Sequence, residues 1–152
     1  MWPFNPPVGL RLARTARLVS RAFDAALIEA GGSLPVWLVL LNMKTRRIAN
    51  QRELAEAVGI GEATLTHHLN AMEADSLLTR RRDPDNRRIH VVALTEAGEA
   101  AFLRLRDVAV AFDRRLRRDI TADELASLEG LLARLAANVG TRAQGISRTA
   151  HE

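Results

Sequence analysis

Residues 83–95, DPDNRRIHVVALT, restrict the fold more than any other stretch of the chain. Asp83-Pro84-Asp85-Asn86 is turn chemistry throughout, because proline presets φ and Asp or Asn side chains hydrogen-bond back to nearby backbone. On either side stand two β-type runs, Leu77-Leu78-Thr79-Arg80-Arg81-Arg82 and Ile89-His90-Val91-Val92-Ala93-Leu94, so the segment predicts a tight hairpin. From Arg80 to His90 it holds five arginines against two aspartates. Such a hairpin is a cationic finger with Arg87 and Arg88 at its tip, suited to a polyanion bound largely by phosphate neutralisation.

The segment before it predicts two short helices. Asn50 is a good N-cap, Glu53 stands at the capping-box position and Gly59 supplies a stop. From Gly61 to Asp75 the apolar residues Leu65, Leu69 and Met72 follow helical spacing. Joined by Gly59-Ile60-Gly61, the pair makes a helix-turn-helix. Leu54, Val58 and Ile60 then pack on Leu65 and Leu69, which turns Glu62, Ala63, Thr66, His67 and Asn70 outward. With Thr64 these are the candidates to meet base edges, while Gln51, Arg81, Arg87 and Arg88 are the candidates to meet the nucleic-acid backbone. Arg80, Arg81 and Arg82 alternate faces on a strand, so at most two share one side, the remainder being solvated or paired with Asp83.

Longer helices flank this unit. Leu12, Ala16, Val19, Phe23 and Leu27 recur at helical spacing between Val8 and Ala30, and Gly31-Gly32 is a stop. Ser33 caps a helix that runs to about Lys44, with Pro35 in its first turn. Thr95 caps a long helix ending near Arg118, and Thr121-Ala122-Asp123-Glu124 is a capping box for a last one bearing Leu125, Leu128, Leu131, Leu132, Leu135 and Val139 on one broad face. That face needs cover, most simply from a second copy of the chain. The expected fold is mainly α with a small β-hairpin wing, in a single domain over 1–152. Within it 33–94 form a winged helix-turn-helix, 8–32 and 119–140 the helical dimerisation region, 95–118 a connecting helix and 141–152 a frayed tail.

Composition narrows the function classes. The formal charge is +4, Lys44 is the only lysine and there is no cysteine, which removes disulfides and thiol chemistry. No apolar run is long enough to span a bilayer and Met1 to Pro7 lack the pattern of a signal peptide, so a cytoplasmic protein without membrane contact is expected. No glycine-rich phosphate loop and no convergent Ser, His and carboxylate set is present, so neither an enzyme nor a cofactor is expected. His67 and His68 are adjacent and diverge by about 100° on a helix, which argues against a shared metal. His67 then serves as a DNA-facing donor and His68 packs half-buried. Trp37, with Leu41, belongs either to the core or to a pocket where a ligand stacks. A protein-interaction module or a non-specific architectural DNA binder is the alternative to a sequence-specific regulator.

In element order and motifs the chain resembles the MarR family of bacterial transcriptional regulators, from about Leu10 to Val139. Gln51-Arg52-Glu53-Leu54-Ala55, the turn from Asp83-Pro84-Asp85 to Arg88, and Leu94-Thr95-Glu96-Ala97-Gly98 carry the resemblance. It implies a homodimer on a pseudo-palindromic double-stranded operator, repressor action, and release by a small aromatic effector. Two positions depart from the family pattern. The wing's Asp-x-Arg is here Asn86 and Arg88, leaving Asp85 to take over the orienting role or Arg87 to share the groove work. Ser76 replaces the usual glycine after the recognition helix, at a cost if φ is positive there.

Overall fold

The computed structural model describes residues 6–140. Among them are helices α1 (Val8–Glu29), α2 (Leu34–Thr45), α3 (Gln51–Val58), α4 (Glu62–Ala74), α5 (Glu96–Leu116) and α6 (Ala122–Gly140), with strands β1 (Leu78–Arg82) and β2 (His90–Leu94) between α4 and α5. The expected tail at 141–152 and Trp2 lie outside the described residues. The chain divides between Phe112 and Asp113 into two compact units.

The first unit holds the core. Leu27 of α1, Trp37, Val39 and Leu40 of α2, Leu54 of α3, and Leu65, Leu69 and Met72 of α4 converge with Leu78, Val92, Ala101 and Leu105. Each fully buried leucine contributes about 2 kcal/mol by removing its apolar surface from water. Val58 and Ile60 pack at the margin of this cluster as the sequence predicts. Trp37 is 6% exposed and stacks on Phe102, with ring centroids 5.8 Å apart and planes inclined by 10°. Of its two expected places it occupies the core, and Leu41 is half-buried beside the same cluster.

Local chemistry sets the ends of these helices. The Ser33 hydroxyl accepts from the Val36 amide at 3.3 Å, and Asn50 Oδ1 accepts from the Arg52 and Glu53 amides at 2.8 and 3.4 Å. Gly59 ends α3 with φ +78°, a conformation that costs little without a Cβ. β1 and β2 pair antiparallel from Leu78 opposite Leu94 to Arg82 opposite His90. β2 is also tied to the turn before α3, where the Val92 amide donates to the Ala49 carbonyl at 2.7 Å.

At the base of the wing several contacts interlock. Ser76 has φ +58°, so this serine does sit in the left-handed region. The Leu77 carbonyl accepts from the Thr95 amide at 3.1 Å, and the Thr95 hydroxyl donates to the Ser76 carbonyl while accepting from the Gly98 amide at 3.1 Å. Thr95 therefore caps α5 and clamps the wing in one step. A Cβ at Gly98 would lie 2.0 Å from the Leu77 oxygen, which explains a glycine inside the first turn of a helix.

The structure shortens some expected elements. Leu77 stays outside β1 because its amide is turned back to the Met72 carbonyl, and Ile89 stays outside β2 because its amide closes the tip onto the Asn86 carbonyl. α5 ends at Leu116, before a turn in which Asp119 takes φ +62°.

In the second unit, the Thr121 amide donates to Glu124 Oε2 at 2.8 Å and the Glu124 amide to the Thr121 hydroxyl at 3.2 Å, completing the capping box. The Thr121 amide, and then its hydroxyl, hold the Glu124 carboxyl below its ordinary pKa. No residue of α6 is buried, and Leu128, Leu131 and Val139 are 45, 53 and 74% exposed.

Candidate nucleic-acid interface

α4 buries one face and leaves the other to solvent. Leu65 and Leu69 are fully buried, whereas Glu62, Ala63, Thr64, His67 and Asn70 are exposed and Thr66 is partly so. All six candidate residues of this helix therefore stand off the core, as their spacing requires. His67 is exposed and His68 half-buried, their rings 5.8 Å apart. Among the described residues no group of three His, Cys, Asp or Glu side chains is placed to hold a metal.

The wing tip is built by its own side chains. Asp83 Oδ1 accepts from the Asp85 amide at 2.7 Å and the Asn86 amide at 3.1 Å. Asn86 Oδ1 then accepts from the Arg88 amide at 3.2 Å. Asn86 thus meets Arg88 at its backbone amide. Asp83 uses its Oδ1 to shape the turn, and Arg82 is exposed. Arg81, Arg87 and Arg88 are exposed.

Arg80 behaves differently from its neighbours. Its backbone amide donates to Glu73 Oε1, its Nε and Nη2 donate to Glu73 Oε2 at 3.2 and 2.7 Å, and Nη2 also reaches Asn70 Oδ1. The hydrogen bonds from Arg80 hold the Glu73 carboxyl below its ordinary pKa, reinforced by the guanidinium charge. One arginine of the wing is thus a strap to the recognition helix. Sequence reasoning missed it because the partners lie seven residues apart across a turn whose geometry Ser76 decides.

Gln51 also has a partner that spacing does not reveal. Its Nε2 donates to Thr66 Oγ1 at 2.7 Å, joining the first turn of α3 to the middle of α4. A groove of about 780 Å³ opens between α3 and the wing, lined by Gln51, Arg52 and Glu53 on one side and Asn86, Arg88 and His90 on the other, with Glu62 also on its wall. The wing tip and the start of α4 consequently share one surface.

Comparison with known proteins agrees with this geometry. The sequence profile of the MarR family matches residues 33–90, which run from the α2 cap to the second strand of the wing. An HTH-type transcriptional regulator of Bacillus subtilis, YdgJ, is 30% identical over 90 residues, 59% of this chain. The match spans 55% of YdgJ, about half its length. The transcriptional repressor CouR, solved bound to a 23-mer DNA duplex, is 28% identical, with a TM-score of 0.76 over 86% of this chain and 92% of that one. BpsR of Bordetella bronchiseptica, a protein whose DNA binding is regulated by 6-hydroxynicotinic acid, is 20% identical with a TM-score of 0.78, covering 90% of this chain and 97% of its own. That last likeness is one of fold alone. Among the described residues no single helix is long and apolar enough to cross a membrane. The six helices, the antiparallel wing, the quoted motifs and the matched profile agree, and residues 33–90 of the chain form a winged helix-turn-helix of the MarR family type.

Proposed function

We propose that the protein is a transcriptional regulator that binds double-stranded DNA, α4 entering the major groove and the wing following the backbone. One observation carries this: an outward α4 face stands beside a self-built wing tip that presents Arg88 to the groove shared with α3. Phosphate contacts from the wing position the protein and helix contacts specify the site. The exposed apolar faces of α1 and α6 support a homodimer, and two copies set one helical turn apart would read a pseudo-palindrome as a repressor. A small aromatic acid is the effector class to screen first, as the regulator of the same fold from Bordetella bronchiseptica is controlled by 6-hydroxynicotinic acid. Phe102 covers one face of Trp37, so an effector that stacked on that face would have to displace Phe102.

The test is affinity for mixed-sequence duplex across a salt series. Wild-type affinity should fall steeply with salt, and Arg88→Ala should weaken binding to all duplexes with a slope shallower by about one. A protein-interaction module would show neither effect. An architectural binder would show the salt slope without preferring any duplex selected from a random library.

A further inference from the structure

The hydroxyl of Thr66 is engaged twice inside the protein. It donates to the Glu62 carbonyl at 2.9 Å and accepts from Gln51 Nε2 at 2.7 Å. A hydroxyl has a single proton, so Thr66 keeps no donor for a base. Besides one spare lone pair, what it can offer a base is its methyl group. Ala63 lies three residues earlier, on the same helical face, and is exposed with nothing but a methyl to offer. Asn70, one turn further along, has its Oδ1 taken by Arg80, which Glu73 in turn holds. The two-point amide contact to adenine needs that oxygen and the amide nitrogen together, so while the strap holds the oxygen would have to serve Arg80 and adenine at once.

Gln51 adds an independent sign. Its Oε1 is buried with no hydrogen-bond partner among the described residues, although such groups are normally satisfied. The amide is thus placed for one bond only, the one that fixes Thr66.

We propose that α4 reads thymine through its C5-methyl group, with Ala63 and Thr66 as the apolar contact and Gln51 as the residue that positions Thr66 by holding its hydroxyl inward. In the major groove the C5-methyl distinguishes thymine from the other three bases. The inference rests on the DNA-binding reading above and names what that surface selects.

The experiment uses the full-length protein and a duplex that it selects from a randomised library. Each thymine is replaced in turn by deoxyuracil, which keeps the pairing edge and O4 and removes only the methyl. Expected is a loss of about fourfold at a contacted thymine, the transfer value of one methyl group, and none at other positions. Thr66→Val, which keeps a methyl, should retain that uracil penalty, whereas Thr66→Ser, which keeps only the hydroxyl, should lose it. Gln51→Glu, which removes the donor, should shrink the ratio between thymine and uracil duplexes, a readout that a uniform loss of affinity leaves unchanged. The proposal is overturned by wild-type binding that is indifferent to uracil everywhere, or by a penalty that survives in Thr66→Ser and vanishes in Thr66→Val. The uracil arm needs no variant and stands even if one fails to fold. Absence of salt-dependent binding to any duplex would instead overturn the DNA-binding reading, and this inference with it.

Discussion

The winged helix-turn-helix buries its core leucines, whereas α6, richer in leucine and alanine, buries none of its own. In the first, Leu54, Leu65 and Leu69 are wholly buried, α2 and α3 are capped, and the wing is tied at its base, at its edge and to α4. In the second, the N-terminus carries a complete capping box, yet Leu128, Leu131, Leu132 and Leu135 remain 36–53% exposed. Good local chemistry forms α6 without giving its apolar face anything to bury. The reading unit is finished within one chain; α6 is finished only as a helix. The homodimer proposed above would give that apolar face its cover.

The largest expected effect follows from that contrast. Leu128→Glu with Leu131→Glu places two charges on the exposed α6 face, and each would be desolvated in a dimer. Sedimentation should show wild-type dimer and variant monomer, with operator affinity lost although circular dichroism remains helical. A wild-type monomer that still binds DNA tightly would remove the comparison altogether.

Second comes Gly98→Ala, in the finished unit. The added Cβ meets the Leu77 carbonyl oxygen, a backbone atom that cannot rotate away, at 2.0 Å. Overpacking of this severity costs about 3 kcal/mol, or roughly 10 °C in Tm for a chain of this length. A smaller opposite change is expected at Ser76, whose φ of +58° suits glycine. Ser76→Gly should raise Tm by a few degrees, about 1 kcal/mol less the extra freedom glycine has when unfolded. An unchanged or lower Tm would show that the serine is held there by more than the Thr95 contact.

Much of this was legible in the sequence because it is local chemistry. The caps at Ser33, Asn50, Thr95 and Thr121, the stop at Gly59 and the turn at Asp83 to Asn86 each follow from residues within four positions of one another. The outward face of α4 followed from helical period alone. What escaped depends on register between elements. Gln51 meets Thr66 fifteen residues away, and Arg80 meets Asn70 ten residues away, only because two turns set the angles of α3, α4 and β1. A list of outward polar residues therefore overstated how many hydrogen-bonding groups α4 has free. Likewise Trp37 was open between core and pocket until Phe102, sixty-five positions on, was seen to cover it.

The smallest expected effect separates the two units by acid. Glu73 and Glu124 both have carboxyls held below their ordinary value of 4.5, Glu73 by hydrogen bonds from Arg80 and Glu124 by hydrogen bonds from Thr121. A depressed folded pKa means that the stabilisation is complete above the unfolded value and is lost as pH falls through the folded one. The window therefore lies below 4.5 for both. Their consequences differ. Protonating Glu73 releases Arg80 and frees Asn70, loosening the wing against α4, whereas protonating Glu124 frays only the first turn of α6. Tm should be followed from about pH 5 to about pH 3 in wild type, Glu73→Gln and Glu124→Gln. Each substitution should lower Tm at the upper end and converge on wild type at the lower, because the charge it removes is then already neutralised. Amide exchange at Arg80 should rise in Glu73→Gln but not in Glu124→Gln. A Glu73→Gln variant that tracks wild type throughout, with Arg80 still protected, would show that β1 holds its place by strand pairing and packing, with the carboxylate strap incidental.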